Sequence, residues 1–297
     1  MKKSSRARRP RRPYTLAVAV LVGAGAACAH VTGSVDSAAA ALGLRKATPV
    51  TTASAPGTEA PPPSTERGGG NNAPPSPKPL VPFNAKLRST NIPEPGGGVR
   101  DGGCSGALIA PDWVITAGHC FHDLDGTRVG GKPRYTMIVT VGKTRDSDPG
   151  GRTAKVVDVR QSPVNDLAVV KLDTPITDIT PVALAESAPD PGQRLQFAGW
   201  GSTSATVVTP SDHLKRGEFR IAAVNDSTLD ADPVVPRTVE NSPCRDDSGG
   251  PFFVSADDVT GQLVATEVSG PQCPQPGTET LARVDVAASW IRKQIES

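Results

Sequence analysis

From Gly106 onward, apolar and polar positions fall into short runs rich in Val, Ile, Leu and Thr, separated by turn residues. The runs are Gly106–Ala110, Trp113–Ala117, Tyr135–Val141, Ala154–Val159, Leu167–Leu172, Leu195–Trp200, Glu218–Val224, Phe252–Ser255, Leu263–Val268 and Leu281–Val286. Each is of strand length, and none is followed by a helical period before the next begins. Only the segment from Val284 to Ile295 repeats at helical spacing, with Val286, Trp290, Ile291 and Ile295 near one face. Many short strands and one terminal helix predict an all-β domain, a barrel or a sandwich.

The start of the chain lacks this pattern. No Phe, Trp or Tyr occurs between Tyr14 and Phe83, and ten prolines fall between Pro49 and Pro82. Such a stretch has too little apolar area to offset its ordering entropy. The chain of 297 residues therefore divides into an N-terminal part and a globular domain over residues 80–297. Residues 2–12 are basic, Thr15 to Ala29 are uncharged and rich in Ala, Val and Leu, and Ala27-Cys28-Ala29 are small. That order predicts a secretory signal peptide over residues 1–29, its apolar stretch too short for a transmembrane helix. Residues 30–79, with Pro61-Pro62-Pro63 and Gly68-Gly69-Gly70, read as a disordered linker or propeptide. The expected location is extracellular, with cell-wall or lipid anchoring if Cys28 is retained, and without stable membrane association once the signal is cut.

Charge narrows the function. Seven of the positive charges lie in residues 2–12, and without residues 1–29 the formal net charge of +2 becomes −5. The basic balance belongs to the leader, so nucleic acid is not an expected partner of the domain.

Three segments carry chemistry. Trp113-Val114-Ile115-Thr116-Ala117-Gly118-His119-Cys120 places an imidazole directly after an apolar strand. Asn165-Asp166-Leu167-Ala168-Val169-Val170 places a carboxylate at the entrance of another. Cys244-Arg245-Asp246-Asp247-Ser248-Gly249-Gly250-Pro251 places a serine in a glycine-rich turn. A serine hydroxyl is a poor nucleophile until a base takes its proton and a carboxylate fixes that base's tautomer. It also needs backbone N–H groups aimed at the oxyanion, which a tight turn can supply. Read alone, His119 could be a core histidine, and His119, Cys120, His122 and Cys104 could be zinc ligands. Export argues for paired cysteines instead, so no metal and no organic cofactor is expected. Setting Cys28 aside, Cys104, Cys120, Cys244 and Cys273 allow three pairings.

In this order the segments resemble the Thr-Ala-Ala-His-Cys, Asn-Asp-Ile-Ala-Leu-Leu and Gly-Asp-Ser-Gly-Gly-Pro motifs of the trypsin-like serine proteases. Gly199-Trp200-Gly201, the Cys-Ser-Gly-Ala-Leu-Ile run from Cys104, and Trp290-Ile291 extend the match. The resemblance implies two six-stranded antiparallel β-barrels of the chymotrypsin type with a C-terminal helix. It also implies a secreted, monomeric serine endopeptidase acting on protein or peptide substrates, with protein inhibitors as further partners. By the same match His119 is the general base, Asp166 its orienting partner and Ser248 the nucleophile. The N–H groups of Asp246 and Ser248 form the oxyanion hole, and Ser242, Ser269, Gly270 and Gly277 shape the substrate pocket. The disulfides would be Cys104–Cys120 and Cys244–Cys273. Neutral Ser242 at the pocket base argues against cleavage after basic residues and for an apolar or aromatic preference.

The chain departs from the family at three places. Asp246 stands where the family has the oxyanion-hole glycine. Val268-Ser269-Gly270 replaces Ser-Trp-Gly, which leaves open whether Ser269 can support Asp166. No Ile-Val-Gly-Gly sequence is present to supply the freed N terminus that pairs in the family with the residue matching Asp247, and an arginine is the alternative partner. The first two departures carry the rival expectation, a weak or silent homologue acting as a binding module.

Overall fold

The computed structural model describes residues 79–297; the expectations for residues 1–29 and most of 30–79 fall outside them. Thirteen strands are present among the described residues. The first six are β1 (Asn84–Pro93), β2 (Val99–Ala110), β3 (Trp113–Ala117), β4 (Thr136–Val141), β5 (Arg152–Gln161) and β6 (Leu167–Leu172). They close a barrel in the order β1-β2-β3-β6-β5-β4, every neighbouring pair antiparallel. The rest are β7 (Ala183–Leu184), β8 (Arg194–Gly199), β9 (Lys215–Val224), β10 (Thr228–Pro233), β11 (Pro251–Val254), β12 (Gln262–Ser269) and β13 (Glu279–Arg283). Six of these form the antiparallel ring β11-β8-β9-β10-β13-β12, closed by β11 on β12, while the two residues of β7 pair parallel to β12. The two six-stranded barrels match the fold expected from the resemblance.

Period-two burial builds the first barrel. In β4, Met137, Val139 and Val141 point inward and are buried, and Thr136, Ile138 and Thr140 between them are not. β6 is buried on both faces apart from half-buried Lys171. All six phenylalanines are buried, each contributing roughly 1.5–3 kcal/mol of burial free energy. Phe197, Phe219 and Phe252 form the centre of the second barrel, with ring centroids 5.1–6.2 Å apart. Phe83, just before β1, meets Phe253 of β11 edge to face at 5.2 Å, which joins the two barrels. The helix α1 (Ala288–Ile295) buries Ile291, and Arg160 of β5 donates to the carbonyl of Gln294 at 2.8 Å.

Three strands are absent from the sequence reading. β1 hides because Asn84 and Lys86, on the face turned away from the interior of its own barrel, are polar yet buried, which hydropathy does not anticipate. Lys86 is buried against Trp200, 4.7 Å from the ring centroid, and bonded to Asp146 and the Ser211 carbonyl. β10 carries Asp230, Asp232 and Pro233, and β7 has only two residues. The expected last strand also ends early, at Arg283, where a 3-10 turn over Asp285–Ala287 leads into α1.

Candidate active site

His119 sits in a 3-10 turn (Gly118–Cys120) that ends β3. β3 pairs with β6 from Trp113–Lys171 to Ala117–Leu167, which brings Asp166, just before β6, alongside His119. Asp166 Oδ2 lies 2.7 Å from His119 Nδ1, and Asp166 Oδ1 accepts the His119 backbone N–H at 2.9 Å. A carboxylate held at Nδ1 leaves Nε2 free to act as a base. Gln161 steadies this turn by donating to the carbonyls of Gly118 at 2.9 Å and Val129 at 3.0 Å. Asn165 ties it to the second barrel, donating to the carbonyl of Arg283 at 2.8 Å.

Burial alone would raise the Asp166 carboxyl. The hydrogen bond and charge of His119, with the charge of Arg128, outweigh it and hold the group below its ordinary value. Arg128, which the sequence reading passed over, donates to Asp166 Oδ1 at 3.3 Å and to the Asn165 carbonyl at 2.8 Å. A bulge does occur in β12 between Glu267 and Ser269. Yet among the described residues the Asp166 carboxylate is held by His119 and Arg128, and Ser269 lines a different cavity.

Ser248 lies in the turn that leads into β11, half-buried, and shares with His119 a cleft of about 700 Å³ that Asp246 and Arg245 also line. Gly249 follows at φ +82°, where a Cβ would stand 2.2 Å from Thr116 Oγ1, so only glycine fits. In this turn the N–H groups of Asp247, Gly249 and Gly250 donate to Cys244, Glu267 and Asp247 carbonyls. Among the described residues, those of Asp246 and Ser248 have no protein acceptor. Two unspent donors beside a serine hydroxyl have the makings of an anion-binding hole. Asp246 adopts φ +72°, at a cost of about 1–2 kcal/mol for a non-glycine residue. Its carboxylate turns toward Arg88, 3.8 Å away, and burial raises its pKa more than Arg88 lowers it.

One residue of the first barrel fixes this turn. Ser105 of β2 is fully buried; its N–H donates to the Ser248 carbonyl at 2.9 Å and its hydroxyl to the Asp246 carbonyl at 3.3 Å. The same hydroxyl accepts the Trp200 N–H at 2.8 Å, and the Ser105 carbonyl accepts from Thr116 Oγ1 at 2.7 Å.

Behind the serine, Asp247 pairs with a lysine, where the family offered an N terminus or an arginine. Lys215 Nζ lies 2.5 Å from Asp247 Oδ2, and neither side chain is exposed. The ammonium also donates to the carbonyls of Ser202 at 3.1 Å and Ser242 at 3.0 Å. The carboxylate accepts N–H bonds from Gly201 at 2.7 Å and Cys244 at 2.9 Å. Nothing in the resemblance singled out Lys215, whose neighbours Leu214 and Arg216 carry no motif.

The disulfides are Cys104–Cys120 and Cys244–Cys273. A second cavity, of about 560 Å³, opens on the other side of Ser248. Of the four residues expected to shape the substrate pocket, Ser269 and Gly270 line it. Ser242 is instead fully buried, donating to Asn241 Oδ1 at 2.9 Å, and Gly277 packs against Pro271.

Paired antiparallel barrels, with a His–Asp couple from one and a serine turn from the other, define the architecture of a chymotrypsin-like serine protease. A family model described as Trypsin matches residues 69–291, and the chain belongs to that family. It is a serine endopeptidase by that membership. A serine protease of Scolopendra subspinipes is 29% identical over 238 residues, covering 73% of this chain and 79% of its own. A trypsin of Saccharopolyspora erythraea is 27% identical over 215 residues, covering 65% and 87%. The structure of neuropsin, a serine protease expressed in the limbic system of mouse brain, superposes with a TM-score of 0.56 at 21% identity. It covers 72% of this chain and 95% of its own, and shows a shared fold.

Proposed function

We propose that the chain is an exported serine endopeptidase that cuts peptide bonds through an acyl-enzyme on Ser248. His119 takes the serine proton through Nε2 and returns it to the leaving amine, while Asp166 holds the imidazole through Nδ1. The N–H groups of Asp246 and Ser248 receive the oxyanion. Water then enters the cleft, and His119 activates it to release the acid.

The observation that carries this reading is the 2.7 Å His119–Asp166 contact on a cleft shared with Ser248. The unspent amide groups of Asp246 and of the nucleophile itself support the oxyanion assignment. They also favour an active enzyme over a silent binding homologue, because Asp246 keeps an open N–H while its carboxylate faces Arg88. Export rests on the leader of residues 1–29; no helix among the described residues is long and apolar enough to cross a membrane.

Fluorophosphonate labelling tests the reading. The folded chain is expected to take one label on Ser248, and His119→Ala is expected to lose it. Folded wild-type protein that takes no label would leave the binding-module alternative standing.

A further inference from the structure

The carboxylate behind the base is held from a direction that the motifs did not foreshadow. In the trypsin-like pattern the serine of Ser-Trp-Gly supports the aspartate. Here Val268, which has no hydroxyl, stands at that position, and Ser269 lines the cavity on the other side of Ser248. Beyond the two contacts from His119, the donor that reaches Asp166 is the Arg128 guanidinium.

Arg128 stands on a built support. The chain from Phe121 to Val129 folds back on itself: the Val129 N–H donates to the Phe121 carbonyl at 2.9 Å, the Asp123 N–H donates to the Thr127 carbonyl at 2.8 Å, and His122 pairs with Arg128 between them. Gln161 of β5 clamps this fold to the His119 turn through the Val129 and Gly118 carbonyls. Gly131 exchanges two backbone bonds with Val159 of the same strand, at 2.7 and 2.9 Å. An arginine on such a support has less freedom to lose on bonding than one on a free loop.

The packing also leaves it a place. A Cβ on Gly118 would stand 2.6 Å from Arg128 Nη1 and 2.7 Å from Asp166 Oδ1. Gly118 falls at the second alanine of the Thr-Ala-Ala-His-Cys pattern, so the missing methyl is the space in which cation and carboxylate meet. Nη1 bonds two successive residues, the Asn165 carbonyl at 2.8 Å and Asp166 Oδ1 at 3.3 Å. The last torsion of an aspartate is soft, and both His119 contacts come from the very residue that the carboxylate has to orient. Arg128 supplies the outside reference. Its charge also weakens the field that Asp166 offers an imidazolium, but the Arg128 side chain is 36% exposed, so water screens that cost.

We propose that Arg128 is a positioning residue for catalysis: it fixes the Asp166 carboxylate, and through it the His119 ring, in the part that the serine of Ser-Trp-Gly plays in the trypsin-like pattern. This rests on the endopeptidase reading of the same cleft.

Arg128→Gln in the full chain tests it. On a peptide substrate kcat is expected to fall about tenfold or more with KM within about twofold. The labelling rate with an uncharged fluorophosphonate should fall in parallel. Arg128→Lys should recover much of the loss, since both bonds come from one nitrogen. His119 and Arg128 are the charged groups that offset burial at Asp166, so the acid edge of the kcat profile should move to higher pH in Arg128→Gln. A merely structural role would lower the melting temperature and leave that edge in place. The proton between His119 Nδ1 and Asp166 gives a readout without turnover. Its far-downfield proton resonance in Ser248→Ala, identified by its loss when His119→Ala is added, should broaden or vanish when Arg128→Gln is added. If Arg128→Gln does not fold, Arg128→Met, which keeps the stem, carries the same measurements. A folded variant with wild-type kcat and an unchanged resonance, or with a loss confined to KM, would overturn the proposal. Wild-type protein that takes no label, with a resonance that still depends on Arg128, would remove the endopeptidase reading and keep the positioning role.

Discussion

Lys215 and Asp247 meet at 2.5 Å with no part of either side chain exposed. They are the mechanical support of the serine turn. Asp247 immediately precedes Ser248, and the Lys215 ammonium also grips the Ser242 and Ser202 carbonyls. Removing one member leaves a buried charge unpaired, which costs about 3–5 kcal/mol. Lys215→Met is therefore expected to lower unfolding free energy by that amount in urea titration and to abolish labelling of Ser248. The double variant Lys215→Met/Asp247→Asn should recover much of the stability. Equal stability of Lys215→Met and wild type would contradict the pairing.

Asp166 gives a prediction with a defined pH sign. Its folded pKa is depressed below 3.8, after burial is outweighed by His119 and Arg128. A depressed carboxyl stabilises the fold fully above its unfolded value and loses that contribution as pH falls through its lower folded value. The melting difference between wild type and Asp166→Asn should be flat from pH 7 to about 4 and shrink below that. The same substitution favours the wrong imidazole tautomer and should lower kcat about 10⁴-fold at pH 7. A melting difference that grew on acidification would contradict the assignment.

Asp246 and Arg88 form a testable couple. A bare carboxylate at ~7 Å from the oxyanion would raise its energy by about 2.4 kcal/mol at an effective dielectric of ~20, or roughly 50-fold in rate. Arg88 offsets that charge from 3.8 Å. Arg88→Ala should lower kcat by up to about 50-fold. Asp246→Gly should remove both the charge and the strain at φ +72°, and restore activity in the Arg88→Ala background. Additive losses in the double variant would refute the couple.

Cys104–Cys120 closes a loop of sequence separation 16 next to His119. On the chain-entropy account such a loop is worth about 3 kcal/mol. Replacing both cysteines by alanine should lower the melting temperature by roughly 6–12 °C for a domain of this size. Calorimetry reads the shift directly.

Much of the architecture and the central constellation were legible because their signals are local. His119, Asp166 and Ser248 each sit at the end of an apolar run or in a glycine turn, and their order along the chain is itself informative. Two of the misses share one physical cause. Lys86 and Lys215 are charged residues at buried positions, and each is stable there because a carboxylate, Asp146 or Asp247, arrives from a distant loop. Lys86 obscured β1, and Lys215 took the place expected of an arginine or an N terminus. Arg128 gave no signal for a different reason: it is exposed and reaches Asp166 from an irregular loop with no periodicity.

Ser105 belongs to the first barrel, yet three of its four bonds go to Trp200, Asp246 and Ser248, which belong to the second half of the chain. With the Phe83–Phe253 and Lys86–Trp200 contacts it ties the two barrels together, so the serine turn is anchored from the first barrel as well as from its own. Its amide hydrogen should accordingly be among the last in the molecule to exchange with deuterium.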